Sequence, residues 1–148
     1  MKGRQTGITI LMAEDDEDDC MLVREALEES HVIHELYIVN DGEELMDYLY
    51  WRGRYSDQGN APRPGLILLD LNMPKKDGRE ALKEIKADVN LRQIPVVVLT
   101  TSKAEEDIHI TYDLGANSFI IKPATFASLV EVMRTIGKYW FEIVKLPL

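Results

Sequence analysis

Cysteine is almost absent from this chain, since Cys20 is the only one among 148 residues. A single cysteine excludes an internal disulfide and is typical of proteins that fold in a reducing compartment. Basic residues are also few, because 17 Lys and Arg stand against 26 Asp and Glu, and the net charge is −9. Such an acidic chain is poorly suited to the phosphates of nucleic acid or to anionic lipid. We therefore expect no nucleic-acid partner and no membrane partner.

Long apolar runs are missing too. No stretch approaches the roughly 20 apolar residues of a transmembrane helix. Segment 1–7 carries two positive charges but no apolar run long enough for a signal peptide. These absences predict a cytoplasmic protein. The residues that are present, 45% hydrophobic and 29% charged, are ordinary for one globular domain of this length.

Short hydrophobic runs alternate with segments of helical periodicity along the whole chain. The predicted strands are segments 8–13, 36–39, 66–69, 94–99 and 118–121. A helix is predicted after each strand, and capping residues mark where four of these helices begin: Asp41 with Glu44, Asp77 with Glu80, Ser102 with Glu105, and Thr125. Five strand–helix units with short links predict an α/β fold. We expect a doubly wound five-stranded parallel sheet in the flavodoxin-like order 2-1-3-4-5, with helices on both faces.

Two local features complete the predicted fold. The helical spacing of apolar residues in the first helix predicts that four side chains form one buried stripe: Leu22, Val23, Ala26 and Leu27. Segment 50–64 is longer than a minimal connection, and its Gly, Pro and Arg content predicts an exposed loop after the second helix.

Acidic residues stand directly after the first and third predicted strands. Glu14 and Asp15 follow segment 8–13, and Asp70 follows segment 66–69. A lone carboxylate at the rim of an apolar core is costly unless a metal or a reaction uses it. In the predicted order these two strands are neighbours, so the three carboxylates are expected to meet at the carboxyl edge of the sheet. Clustered carboxylates repel one another unless a cation joins them, and a few carboxylates with water suit Mg²⁺.

Two other functional groups stand at equivalent strand ends, the hydroxyl of Thr100 and the ammonium of Lys122. Together with the acids and a metal they would suit a phosphoryl group, because the cations neutralise its oxygens and Thr100 hydrogen-bonds one of them. We predict that Asp70 is the nucleophile and forms an aspartyl-phosphate. The plain alternatives are an Asp70 that caps a helix or a loop, a Thr100 that only ends a strand, and acids at 14–16 that form a solvated first helical turn.

The motifs at the strand ends resemble those of receiver domains in bacterial two-component response regulators, in the right order and over nearly the whole chain. They are Glu14-Asp15-Asp16, Leu69-Asp70-Leu71-Asn72-Met73-Pro74, Asp77-Gly78, Leu99-Thr100 and Ile121-Lys122-Pro123. The resemblance implies that a histidine kinase phosphorylates Asp70. It also implies a Mg²⁺ site made by the carboxylates of Glu14, Asp15 and Asp70, with the backbone carbonyl of Asn72 as a further ligand.

The resemblance implies further roles for the ends of the fourth and fifth strands. Thr100 and Lys122 would contact the phosphoryl group, and Thr100 with Phe119 would form the switch pair. Phe119 departs from the frequent tyrosine, so packing instead of a hydroxyl must report a movement of Thr100. Thr101 is bulkier than the small residue often found at its position and would narrow access to the phosphoryl group.

Segments 50–64, 79–86 and 139–148 are similar to the stand-alone receivers that pair with cyanobacterial phytochrome histidine kinases. We therefore expect a single receiver domain over residues 1–148, with a core at about 7–138 and a hydrophobic extension at 139–148. This much apolar surface exposed on a monomer would be a liability, which favours a homodimer over the alternative that the extension folds back on its own domain. The candidate interface residues are Tyr139, Trp140, Phe141, Ile143 and Val144.

The leading hypothesis is a single-domain response regulator that signals through protein contacts. It would be no enzyme beyond accepting and hydrolysing its own phosphoryl group. The segment after Lys138 is too short for a DNA-binding domain. One alternative is an unphosphorylated pseudo-receiver that serves as a docking module, and the complete set of acids, Thr and Lys argues against it. Another is an aspartyl-phosphate phosphatase, which would need a second acid where Asn72 stands.

Overall fold

Five strands form a single sheet in a computed structural model of the chain, which describes residues 8–32, 34–102, 104–143 and 146. The strands are β1 (Ile8–Ala13), β2 (His34–Val39), β3 (Leu66–Leu69), β4 (Val96–Thr100) and β5 (Ser118–Ile121). Their order is β2-β1-β3-β4-β5, and every neighbouring pair is parallel. The predicted fold class and strand order are confirmed.

Helices cover both faces of the sheet. They are α1 (Glu17–Glu29), α2 (Gly42–Tyr50), α3 (Gly78–Ala87), α4 (Glu105–Asp113) and α5 (Phe126–Gly137). Side chains alternate along a strand. Leu11 and Ala13 therefore join the core under α2 and α3, while Ile10 and Met12 join the core under α1 and α5. None of the helices in the described ranges is both long enough and apolar enough to cross a membrane.

The register of the sheet brings the carboxyl ends of four strands to one edge. Ala13 pairs with Leu69, and the N–H of Asp70 donates to the carbonyl of Ala13 at 3.0 Å. Farther along the sheet, the N–H of Lys122 donates to the carbonyl of Thr100 at 2.8 Å. The polar residues that end these strands therefore share one edge, as the sequence predicted.

Acidic caps start α2 and α3, with one difference from the prediction. Asp77 and Glu80 form a reciprocal capping box. The carboxylate of Asp41 accepts the N–H of Glu44 at 2.8 Å. The carboxylate of Glu44, however, accepts the N–H of Asn40 at 2.7 Å instead of that of Asp41. The start of α2 therefore has both capping hydrogen bonds, but the one that Glu44 accepts comes from Asn40, one residue before Asp41.

The sequence predicted the cap of α5 correctly and the cap of α4 incorrectly. The Thr125 hydroxyl accepts the N–H of Ser128 at 3.1 Å and caps α5 as expected. The predicted Ser102 cap is wrong, because α4 begins after Ala104, which makes no side-chain cap hydrogen bond. The Ser102 hydroxyl donates instead to the Asp107 carboxylate at 2.5 Å, a charged acceptor in the first turn of the helix.

The buried stripe of α1 differs from the prediction at one position. Val23, Ala26 and Leu27 are buried, but Leu22 is 41% exposed and Cys20 is buried. The helix presents the face at positions 20, 23 and 27 to the core, and Leu22 lies beyond the edge of that face. Burial raises the pKa of Cys20 to about 11, so this thiol stays protonated near neutral pH.

Segment 50–64 is largely exposed, as the sequence predicted, but aromatic side chains anchor it to the domain. Tyr55 and Ala61 are buried. The Trp51 indole N–H donates to the carbonyl of Ala61 at 2.7 Å, and the Tyr48 hydroxyl donates to that of Pro62 at 2.8 Å. Two short 3-10 helices, Gly53–Tyr55 and Gln58–Asn60, form within it. Aromatic side chains thus anchor a segment whose composition alone indicated a loop.

The chain continues beyond α5 as a π-helical segment, Lys138–Ile143. Trp140 and Phe141 are half-buried against the core under α1 and α5, whereas Tyr139 is 50% exposed. Part of the predicted interface therefore covers its own domain. Two members of that interface have side chains outside the described residues, Ile143 and Val144.

Gly78 is required by close packing at the start of α3. A Cβ at this position would lie 2.3 Å from the carbonyl oxygen of Asp70 and 2.7 Å from the Cα of Leu71, so the Asp70 loop would have to shift.

We predict that Gly78→Ala lowers the free energy of unfolding by about 1–3 kcal/mol in urea denaturation, although alanine favours helix. Gly59→Ala is the matched control, because its nearest neighbour is the side chain of Asp57. Equal stability of wild type and Gly78→Ala would contradict the packing argument.

Candidate functional site

Asp70 lies immediately after β3 and is almost completely buried, with 7% of its surface exposed. Its Oδ2 lies 3.9 Å from Nζ of Lys122. Its Oδ1 is buried and receives no hydrogen bond from any described residue. A carboxylate oxygen buried without a partner is costly. Such an atom marks a position where a ligand completes the site.

Two further carboxylates approach Asp70 at the carboxyl edge of the sheet. One oxygen each of Glu14, Asp15 and Asp70 lies within 4.8 Å of the others. Glu14 is 1% exposed, whereas Asp15 faces solvent. Three carboxylate oxygens with access from water, next to the unpartnered Oδ1, fit a hard divalent cation that keeps part of its hydration shell.

Two neighbouring residues lie at the rim of this group. Asn72 is exposed in the loop between β3 and α3, two residues after Asp70, and its backbone carbonyl stays a predicted ligand. Asp16 has another role, since its carboxylate caps α1 by accepting the N–H groups of Asp18 at 2.8 Å and Asp19 at 3.1 Å. The acidic run therefore divides between the site and the first turn of the helix.

Lys122 supplies the positive charge inside the site. Its Nζ donates to Glu14 Oε1 at 2.5 Å and to Asp19 Oδ2 at 2.7 Å, and it lies farther from Asp70. Sequence reasoning assigned Lys122 to the phosphoryl group and missed Asp19. The available signal was that Asp19 precedes the apolar Cys20 in the first turn of α1, where one face of the helix turns toward the sheet edge.

Burial and charge displace the pKa values of this pair. Burial raises the pKa of Glu14 to about 7; the hydrogen bond from Lys122 opposes the shift, and the nearby charge of Asp70 adds to it. Burial would lower the pKa of Lys122, but its hydrogen bonds to Asp19 and Glu14 and the charge of Asp70 outweigh burial and raise it. Lys122 therefore stays a cation at neutral pH, while Glu14 keeps its proton to a higher pH than an ordinary carboxyl group does.

The other predicted contacts lie at the ends of β4 and β5. Thr100 is fully buried, and its hydroxyl accepts the N–H of Ser102 at 3.4 Å. Phe119 is half-buried and pairs with Val98, two residues before Thr100, so Phe119 and Thr100 face the same side of the sheet. Because Oδ1 of Asp70 has no hydrogen-bond partner among the described residues, the Thr100 hydroxyl does not bind it in this structure.

Comparison with known proteins identifies the family to which this site belongs. The family model of the response regulator receiver domain matches residues 10–134. The chain belongs to the response regulator receiver family. The resemblance drawn from the strand-end motifs is confirmed, and receiver domains bind a divalent cation, which the carboxylates of Glu14, Asp15 and Asp70 are placed to accept.

Individual relatives are similar over almost their whole length. Response regulator Rcp1 from Synechocystis is 47% identical over 138 residues, covering 93% of this chain and 92% of Rcp1. The structure of the phosphorylated cyanobacterial phytochrome response regulator RcpA superimposes with a TM-score of 0.89 at 47% identity, covering 97% of this chain and 100% of RcpA. The Mn²⁺-bound form of Rcp1 superimposes with a TM-score of 0.86 at 46% identity, covering 95% and 99% of the two chains.

The pKa of Glu14 generates a test of the cation site. A cation at the three carboxylates must compete with the proton that Glu14 carries below pH 7. We predict that Mn²⁺ binds about tenfold more weakly at pH 6 than at pH 8, as measured by titration calorimetry. Glu14→Gln should bind more weakly at both pH values and lose this dependence. Equal affinities of the wild-type receiver at pH 6 and pH 8 would show that Glu14 does not titrate with the cation.

Proposed function

We propose that this response regulator accepts a phosphoryl group on Asp70 from a partner histidine kinase in a Mg²⁺-dependent reaction. The observation that carries the proposal is the buried, unpartnered Oδ1 of Asp70. The carboxylate of Asp70 lies close to those of Glu14 and Asp15, and its other oxygen, Oδ2, lies 3.9 Å from Nζ of Lys122. A nucleophile needs such a free oxygen, and a transferred phosphoryl group needs cations around it.

The transfer exchanges one phosphorus bond for another. A carboxylate oxygen of Asp70 attacks the phosphorus, an O–P bond forms, and the N–P bond to the kinase histidine breaks. A bound divalent cation would neutralise charge on the phosphoryl oxygens. Lys122, whose Nζ lies 3.9 Å from Oδ2 of Asp70, needs only a short movement to reach those oxygens. Thr100 supplies the hydroxyl, and later attack by water returns Asp70 and releases phosphate.

The partner kinase that we propose is a phytochrome histidine kinase. The support is the similarity over nearly full length to Rcp1 and to RcpA, the latter a cyanobacterial phytochrome response regulator. We propose no activity on other substrates, because self-phosphotransfer and autodephosphorylation account for the groups present. The signal would pass on through protein contacts that follow the phosphoryl charge at Asp70.

Phosphorylation by a small donor tests the acceptor role directly. Purified protein incubated with acetyl phosphate and Mg²⁺ should gain the mass of one phosphoryl group by intact-mass spectrometry. Asp70→Asn should gain none, because the amide is not a nucleophile of this kind, and EDTA should prevent the gain in the wild type. Asp57→Asn, in the exposed segment 50–64, is the matched control and should react like the wild type.

Absence of phosphate on the wild-type protein would contradict the acceptor role. That result would favour the pseudo-receiver alternative, in which the carboxylates serve as a metal site and the domain as a docking module. Phosphate on Asp70→Asn would place the acceptor elsewhere and would also overturn the assignment.

We further propose that the extension at 139–148 forms a homodimer interface. The support is the 50% exposure of Tyr139 beside the half-buried Trp140 and Phe141. Sedimentation at micromolar concentration should give a dimer, and Tyr139→Ser should weaken it about tenfold, which corresponds to about 1.4 kcal/mol. Tyr112→Ser, at a similarly exposed tyrosine on α4, is the control. A clean wild-type monomer, phosphorylated or not, would contradict the dimer.

A further inference from the structure

Arg79, in the first turn of α3, joins two carboxylates from different helices. Its Nε donates to Asp107 Oδ1 at 3.0 Å, its Nη2 forms an ion pair with the same oxygen at 2.8 Å, and its Nη1 donates to Asp77 Oδ2 at 2.9 Å. The side chains of Arg79 and Asp107 are 26% and 18% exposed. Charge-assisted bonds from the planar guanidinium, partly shielded from water, hold α3 and α4 at a fixed separation.

The second oxygen of Asp107 extends this contact to the end of β4. Asp107 Oδ2 accepts the Ser102 hydroxyl at 2.5 Å, and the N–H of Ser102 donates to the Thr100 hydroxyl at 3.4 Å. The hydrogen bonds from Ser102 and Arg79 hold the pKa of Asp107 below its usual range, so Asp107 is charged near neutral pH. We call Arg79, Asp107 and Ser102 the α3–α4 network.

The opposite end of the network contacts the loop that carries Asp70. Asp77 caps α3, and the next residue, Gly78, donates its N–H to the carbonyl of Leu71 at 2.9 Å. Gly78 also packs so closely on the Asp70 carbonyl that no side chain fits between them. Arg79 therefore connects the Asp70 loop to the Thr100 hydroxyl. On one side the connection runs through Asp77 and the backbone of Gly78, and on the other side through Asp107 and Ser102.

We propose that Arg79 is a positioning residue: the α3–α4 network holds the segment 100–102 in its unphosphorylated arrangement and thereby opposes the movement of Thr100 toward a phosphoryl group. The proposal rests on the proposed function of Asp70. The Thr100 hydroxyl is not bound to Asp70 Oδ1 in this structure, and its approach to a phosphoryl oxygen moves the segment 100–102, whose Ser102 hydroxyl is tied to Asp107. Weakening the network should therefore favour the phosphorylated arrangement, because less interaction is lost when the segment moves.

Binding of beryllofluoride, a stable phosphoryl analogue, measures this balance on the complete protein with Mg²⁺. We expect Arg79→Gln to bind beryllofluoride about fivefold or more tightly than the wild type in titration calorimetry, a shift within the range usual for coupled sites. Arg52→Gln is the matched control, since Arg52 pairs with Asp47 at 3.2 Å near the end of α2, outside the network. Its affinity should equal that of the wild type.

Ser102→Ala gives a second variant that leaves the ion pairs of Arg79 intact. It removes the link from Asp107 to the segment 100–102, together with a long hydrogen bond that the Ser102 hydroxyl accepts from the N–H of Ala104 at 3.5 Å. It should also tighten binding, and the two substitutions combined should do no more than the stronger one alone. A purely structural role would lower the midpoint of thermal unfolding and leave binding unchanged or weaker. If the wild type binds beryllofluoride but both variants bind it equally well or more weakly, the proposed role of the network is overturned and the proposed function stands. No binding by the wild type would overturn the proposed function as well.

Discussion

The ammonium of Lys122 holds the functional edge of the sheet together. It donates to Glu14 at 2.5 Å and to Asp19 at 2.7 Å, and its charge stands 3.9 Å from Asp70. Burying Glu14 and Asp70 side by side without a cation would cost several kcal/mol. The fold meets this demand by placing the ends of β1, β3 and β5 at the same edge, so that side chains 108 positions apart in sequence touch.

Under the proposed function, the same contact allows the site to respond to ligands. Lys122 balances carboxylates that a divalent cation can also balance, so a bound cation would free Lys122 to follow new negative charge at Asp70. Phosphorylation of Asp70 would add that charge. Two groups would change partners on phosphorylation. Oδ1 of Asp70 has no hydrogen-bond partner among the described residues, and the Thr100 hydroxyl accepts the N–H of Ser102. The site is thus assembled but not yet in the arrangement that a phosphoryl group requires.

The fold and the carboxylate group were predictable because they follow from short-range patterns. Continuous apolar runs that end in acid identify buried parallel strands, and the strand order then brings Glu14, Asp15 and Asp70 together. Helix caps at Asp77 and Thr125 depend on neighbouring residues only and were also predicted correctly. In these cases local sequence was sufficient, because the partner lies within one turn or follows from strand pairing.

The remaining differences arise from tertiary contacts that local patterns do not contain. Ser102 was predicted to cap α4, but the Asp107 carboxylate binds its hydroxyl, and Arg79 fixes that carboxylate from another helix. The partners of Lys122 show the same effect, since a long flexible side chain reaches Asp19 on α1 as well as Glu14. Segment 50–64 is exposed as its composition indicated, but the sequence did not predict the hydrogen bonds by which Tyr48 and Trp51 anchor it.

The central claim is that the carboxyl edge of the sheet binds a divalent cation and a phosphoryl group on Asp70, with Lys122 moving between partners. A crystal structure of the protein with Mg²⁺ and beryllofluoride tests it most directly. The account predicts beryllium on a carboxylate oxygen of Asp70, the cation at the carboxylates of Glu14, Asp15 and Asp70, and Nζ of Lys122 within hydrogen-bond distance of a fluorine. An unmodified Asp70, with Lys122 still bound to Glu14 and Asp19 at saturating ligand, would contradict it.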